Sequence, residues 1–268
     1  MIKNIIEFEN IHVGYDSKIV LKNVNITIKQ GEHWAILGAN GSGKSTLMKL
    51  IQSEIHPRRD HPFTKKILGE THSSIFELKK KLGIITNDLH NHFYTAGSFM
   101  SGYEVVLSGF YSSIGVFKHQ DFTDEQHQKT LETLEHLNIL KLKDKKVKTM
   151  STGELRKCIM ARALIHDPVA FVLDEPTVGL DIKAQIDFIE MLKKVSLKSS
   201  IILVTHHLEE IFEGITNVAL IDDNTIYKSG KKEQILTSEN LSQVFHTPLH
   251  INEKNKRYFI DEILTLDQ

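Results

Sequence analysis

The sequence predicts an α/β fold with a mostly parallel sheet, an N-terminal antiparallel β patch and an inserted helical subdomain. Three observations predict it. Gly38-Ala39-Asn40-Gly41-Ser42-Gly43-Lys44-Ser45-Thr46 fits the pattern Gly-x-x-x-x-Gly-Lys-Ser/Thr of a phosphate-binding loop, preceded by the apolar run Trp34-Ala35-Ile36-Leu37 and followed by Leu47, Met48, Leu50 and Ile51 at helical spacing. Two further runs, Val169-Ala170-Phe171-Val172-Leu173 and Ile201-Ile202-Leu203-Val204, are continuously apolar, as parallel strands covered on both faces must be. After Asn87-Asp88 the composition shifts towards amphipathic helix, which places a helical insertion over residues 88–150.

Composition narrows the possible partners. A chain of 268 residues can build a full hydrophobic core. Lys and Arg number 33 against 34 Asp and Glu, so no electrostatic footprint for nucleic acid or anionic lipid is present and no nucleic-acid partner is expected. Cys158 is the only cysteine, which excludes an internal disulfide and a multi-cysteine metal site and fits a reducing compartment. The apolar stretch at Met1 to Glu9 is too short for a signal peptide, and no later run reaches membrane-spanning length, so a chain soluble by itself is expected. The 15 histidines show no His-Glu-x-x-His spacing.

Ile5 to Ile28 reads as short strands, with a turn around Tyr15-Asp16-Ser17 and an alternating run from Val24 to Ile28. Tyr15 on that turn either packs or offers an aromatic face to a flat base. Gln30-Gly31 turns the chain into the strand before the phosphate loop. Within the loop, Gly41 and Gly43 let backbone N–H groups approach a polyphosphate at a helix N-terminus. Lys44 is expected to reach the β- and γ-phosphates, and Ser45 to be a magnesium ligand. The loop helix should end near Ile55, before the proline-broken His56 to Pro62.

Leu82-Gly83-Ile84-Ile85-Thr86 is a further strand, and Thr123 to Leu142 a helix with Leu131, Leu134, Leu137 and Leu140 on one face. Lys141 to Lys148 is locally basic, a solvated face given the neutral whole. Ser151-Thr152-Gly153-Glu154 contains a Ser-x-x-Glu capping box that opens a helix to Ile165; alone it is a helix cap, although such an N-terminus also binds phosphate. Val218 to Ile221 and Thr225 to Tyr227 read as a hairpin around Asp222-Asp223-Asn224, Gly230 begins a turn into Lys232 to Leu236, and the tail beyond carries no pattern.

Three buried strands thus end in a glycine loop, in Asp174-Glu175 and in His206. Ligands of parallel α/β sheets lie at the carboxyl ends of the strands, so these endings are expected to serve one site. In a P-loop NTPase core, Asp174 holds Mg²⁺ through its shell, Glu175 orients or deprotonates the attacking water, and His206 contacts the γ-phosphate or that water.

Over residues 5–235 the chain resembles the ATP-binding cassette (ABC) ATPases, the nucleotide-hydrolysing subunits of ABC transporters. The resemblance rests on the order of the phosphate loop, Ser151-Thr152-Gly153-Glu154, the acidic strand Phe171 to Glu175, Gly179-Leu180-Asp181 and His206. It implies that Tyr15 stacks on adenine, that Ser151 and Gly153 cap the γ-phosphate of an opposite subunit, and that Asp181 lies in a loop crossing to that subunit. Asn87 stands where the family usually has a glutamine ligand of Mg²⁺, and Thr152 where glycine is commoner. Glu104-Val105-Val106-Leu107-Ser108-Gly109-Phe110, followed by Ser113-Ile114-Gly115, looks similar to a bacterial branch grouped with molybdate-type or metal-chelate importers. The implied organisation is one ABC ATPase domain: a core at 1–87 and 151–235, a helical subdomain at 88–150 and a tail at 236–268.

The resemblance implies an ATPase with ATP and Mg²⁺ that dimerises, with itself or a related chain, and drives a separate transmembrane permease from the cytoplasmic face of the membrane. Two other functions stay open at this point. One is a soluble cassette ATPase acting in translation or DNA maintenance, although such members usually carry two cassettes or a long coiled-coil insertion. The other is a nucleotide switch with little turnover, against which Glu175 and His206 argue.

Overall fold

The computed structural model describes residues 3–15, 18–71 and 74–263. Its compact units are Met1–Ile75 with Ser200–Gln268, and Phe76–Ser199.

In the first unit, β1 (Asn4–Tyr15) and β2 (Lys18–Lys29) pair antiparallel, with Phe8 opposite Ile26 and Ile11 opposite Val24. What reads as short strands is continuous, because the expected breaks are bulges: Asn10 takes φ 51° and its N–H donates to Asn25 Oδ1 at 2.8 Å. Alternation explains the pairing, since Val24, Ile26 and Ile28 are buried while Asn25 and Thr27 face solvent. The turn expected at Asp16-Ser17 lies outside the described residues. Wholly buried β3 (Trp34–Gly38) runs into the glycine loop and then α1 (Lys44–Ile51). That helix ends four residues before Ile55, because Ser53 turns to φ 57°. β4 (Thr64–Ile67), which carries no clear sequence signal, adds to the other edge of β1.

The second unit opens with α2 (Ile75–Lys81) and β5 (Leu82–Ile85), with Thr86 as the N-cap of α3 (Asn87–Thr95). α4 (Gly102–Leu107) follows, and then α5 (Asp124–His136), capped by Thr123. The latter is shorter than the periodicity predicts. Asn138 takes φ 57° and Ile139 N–H donates to Leu134 O at 2.8 Å, a turn that ends the helix, buries Ile139 and leaves Leu140 40 % exposed. α6 (Thr152–Leu164) is the centre of this unit, with Leu155, Cys158, Ile159, Met160 and Ala161 all buried. Burial also pushes the Cys158 thiol up to about 12. β6 (Ala170–Asp174) pairs parallel with β5, Ile85 opposite Leu173, and α7 (Ile182–Ser196) closes the unit.

The chain then returns to the first unit through β7 (Ser200–Thr205), which runs parallel to β3. β8 (Asn217–Asp222) flanks β3 on the other side and is also parallel. It forms a hairpin with β9 (Thr225–Lys231) through Asp223 and Asn224, whose positive φ values of 42° and 64° suit a two-residue turn. Gly230 lies within β9, one residue before the strand gives way to α8 (Lys232–Ile235). α9 (Ser238–Phe245) then precedes a second hairpin, β10 (Leu249–Lys254) with β11 (Arg257–Ile263), in the stretch that lacked a sequence pattern. Among the described residues no helix is long and apolar enough to cross a membrane.

Candidate nucleotide site

The phosphate loop sits where parallel-sheet physics puts ligands, at the carboxyl end of β3. Gly43 caps α1 at φ 105°, a conformation unfavourable for residues with a side chain. It is also hemmed in: a Cβ there would come 2.6 Å from Leu21 Cδ2 and 3.1 Å from Val20 O. Strand β2, and with it the hairpin carrying exposed Tyr15, is therefore packed directly on the loop. Lys44 folds back across the loop, its Nζ donating to Gly38 O at 2.7 Å and Ala39 O at 3.0 Å. The Ser42 hydroxyl is buried and makes no hydrogen bond, while Asn40, Gly41 and Ser45 are exposed. Thr46 is buried in the first turn of α1. A leftover hydroxyl, a helix N-terminus and a retractable ammonium fit a polyphosphate.

His206 directly follows Thr205, which is opposite Leu37 in the β3–β7 ladder, so it stands beside the strand end that starts the loop. Its ring is half-buried against His207, with centroids 3.9 Å apart.

The second unit holds the other residues. Asn87 and Asp174 lie just beyond and at the ends of the paired strands β5 and β6. Glu175 adopts φ 46°, a left-handed conformation unusual for glutamate. Ser151 caps α6, its Oγ accepting from Glu154 N–H at 3.2 Å while Glu154 Oε2 accepts from Ser151 N–H at 2.8 Å. Burial alone would raise the Glu154 carboxyl, but Lys145 at 2.6 Å and the Ser151 amide hold it below its ordinary value. Gly153 lets this helix approach α7 closely, since a Cβ there would lie 2.9 Å from Ala184 Cβ. Asp181 is exposed and caps α7, accepting from Ala184 N–H at 2.8 Å.

Asn87 has a partner that the sequence does not announce. Its Oδ1 accepts from Arg156 Nη2 at 2.8 Å. The same guanidinium donates to the carbonyls of Glu175, Pro176 and Val178. The signal was available: Leu155, Cys158 and Ile159 leave α6 without a polar face at position 156.

A family model described as ABC transporter matches residues 21–178. The uncharacterised ABC transporter ATP-binding protein YlmA of Bacillus subtilis is 31% identical over 265 residues, covering 96% of this chain and 96% of its own. Among solved structures, an inward-facing ABC transporter described as of metal-chelate type superposes with a TM-score of 0.76 at 23% identity, covering 96% of each chain. cbiO1 of Clostridium perfringens, part of the ABC transporter complex cbiONQ, does so with a TM-score of 0.72 at 24% identity, over 89% of this chain and 93% of that one. The fold is that of these cassettes.

Proposed function

Because the chain belongs to the ABC transporter family, as an ATP-binding and ATP-hydrolysing subunit, we propose that two such cassettes enclose ATP head to tail and power a separate transmembrane permease. The observation that carries this is the phosphate loop itself: Lys44 already paired to carbonyls of its own loop, and an unpaired Ser42 hydroxyl beneath it. On binding, Lys44 exchanges those carbonyls for phosphate oxygens, and Gly38 to Thr46 wrap the polyphosphate with N–H groups. Tyr15 offers its exposed ring to the base.

The oxygen donors Ser45, Asp174 and Asn87 suit a hard cation such as Mg²⁺, which supplies neutralisation of phosphate charge when bound. Glu175 orients the water that attacks the γ-phosphorus and takes up its proton as the bond to ADP breaks. His206 hydrogen-bonds the γ-phosphate or that water. Ser151 and Gly153 of the opposite cassette complete the γ-phosphate shell, with Asp181 in the loop that crosses to it. In this reading the chain is peripheral, on the cytoplasmic face of the membrane through its permease.

The test is a pull-down of Glu175→Gln from solubilised host membranes with ATP present. Loss of the water-orienting carboxylate spares ATP binding and holds the dimer closed, so a multi-span protein is expected to co-purify. Recovery of soluble partners or ribosomes alone would sink the transport role.

A further inference from the structure

We propose that Arg156 is a positioning residue for hydrolysis, its buried guanidinium holding the turn that carries Glu175 in register with Asn87. The proposal rests on the role given above to Glu175. Arg156 is 4 % exposed. Its Nη1 donates to Glu175 O at 3.1 Å and Pro176 O at 2.6 Å, and its Nη2 to Asn87 Oδ1 at 2.8 Å and Val178 O at 2.9 Å. One rigid plane therefore ties α6 to the segments that follow two neighbouring parallel strands, β5 and β6.

The turn needs such a clamp. Glu175 sits at φ 46°, a conformation that persists in a non-glycine residue only when its surroundings dictate it. Backbone bonds within the turn include Val178 N–H to Glu175 O at 3.3 Å and Leu180 N–H to Thr177 O at 3.1 Å. Arg156 adds charge-assisted bonds to three of the turn's carbonyls, those to Pro176 O and Val178 O being shorter at 2.6 and 2.9 Å. Moving Asn87 pulls on one arm of the guanidinium, and the other arm holds the backbone of Glu175. Hydrolysis thereby depends on where the Asn87 segment lies, while ground-state ATP binding at the phosphate loop does not. Lysine cannot substitute, because a point charge on a flexible stem cannot hold four oxygens in one plane.

The experiment compares steady-state ATPase kinetics and nucleotide affinity of the whole chain and its Glu175→Gln, Arg156→Lys and Asn87→Leu variants. Arg156→Lys is expected to lower kcat by about tenfold to a hundredfold, as a misplacement near 1 Å does, with KM and ATP affinity within about twofold of the parent. Unchanged kcat in Arg156→Lys, while Glu175→Gln is inactive, overturns the proposal and leaves the ATPase reading intact. Full turnover in Glu175→Gln overturns both.

Asn87→Leu removes the amide to which Arg156 donates, at a partly exposed position, so it keeps the test open should the Arg156 variants fail to fold. Its kcat is expected to stay low even at saturating Mg²⁺, where the loss of one metal donor is made good. Recovery of kcat on raising Mg²⁺ would mean that Asn87 acts as a metal ligand alone, and would overturn the link to Arg156. Combined, Arg156→Lys and Asn87→Leu should lower kcat by no more than the larger single effect; multiplication of the two losses would also overturn it.

Discussion

Replacing Gly43 by alanine adds one methyl group at a position that is unfavourable twice over. The backbone there holds φ 105°, and an L-residue forced into the left-handed region loses about 1–2 kcal/mol. The new Cβ would also meet Leu21 Cδ2 at 2.6 Å and the fixed carbonyl of Val20 at 3.1 Å, and overpacking of this kind costs about 1–3 kcal/mol. The sum is about 2–5 kcal/mol. Gly41→Ala is the natural control, because its φ of 85° carries a similar backbone cost but no atom lies within 4 Å of its would-be Cβ.

Trp34 is the single tryptophan, buried in the strand before the loop, so urea titration followed by its fluorescence reports on the right unit. Gly43→Ala should lose about 1–3 kcal/mol more than Gly41→Ala, which is the packing term alone. Adding Leu21→Ala should recover part of that difference, making the pair less than additive. Equal losses for the two glycines, or strict additivity with Leu21→Ala, would refute the packing of β2 on the loop as the reason for glycine at 43.

Lys44→Ala removes charge-assisted bonds worth about 1.5–3 kcal/mol each, so ATP affinity should fall about tenfold to a hundredfold or more by equilibrium titration, and near-parental affinity would count against the loop assignment. Because the Glu154 carboxyl is held below its ordinary value near 4.5, its contribution to stability is present above that value and drains away as pH falls through the lowered one. Thermal unfolding of Glu154→Gln should therefore show a shallower loss of Tm on acidification in that window than the parent, and parallel curves would contradict this.

Much of the core was legible because periodicity there is enforced by burial on both faces. β3, β6 and β7 stand in the structure where unbroken apolar runs place them, and the cap at Ser151 follows from the spacing to Glu154. Helix ends are harder to read, since Asn138 stops α5 through a backbone conformation that hydrophobic spacing does not record, and Leu140 lies beyond the helix whose face the spacing gives it. The last hairpin leaves no pattern in the sequence because Glu253, Lys254 and Arg257 are exposed and carry no alternation. Its turn residues Asn255 and Lys256, at φ 55° and 59°, were the only cue. At the site, the motif residues can be named from spacing and a buried Arg156 from its apolar neighbours, whereas the partners of Arg156 cannot, because they come from segments 19 to 69 positions away along the chain.

Cys158 offers an experimental convenience. It is the only thiol in the sequence, fully enclosed beside Gly102 in the centre of α6 packing, and burial pushes its ionisation up to about 12, so the reactive thiolate is disfavoured as well as shielded. Maleimide dyes will pass it by. A cysteine introduced at exposed Leu197 can thus be labelled at one defined place in the otherwise native sequence, without first building a cysteine-stripped surrogate.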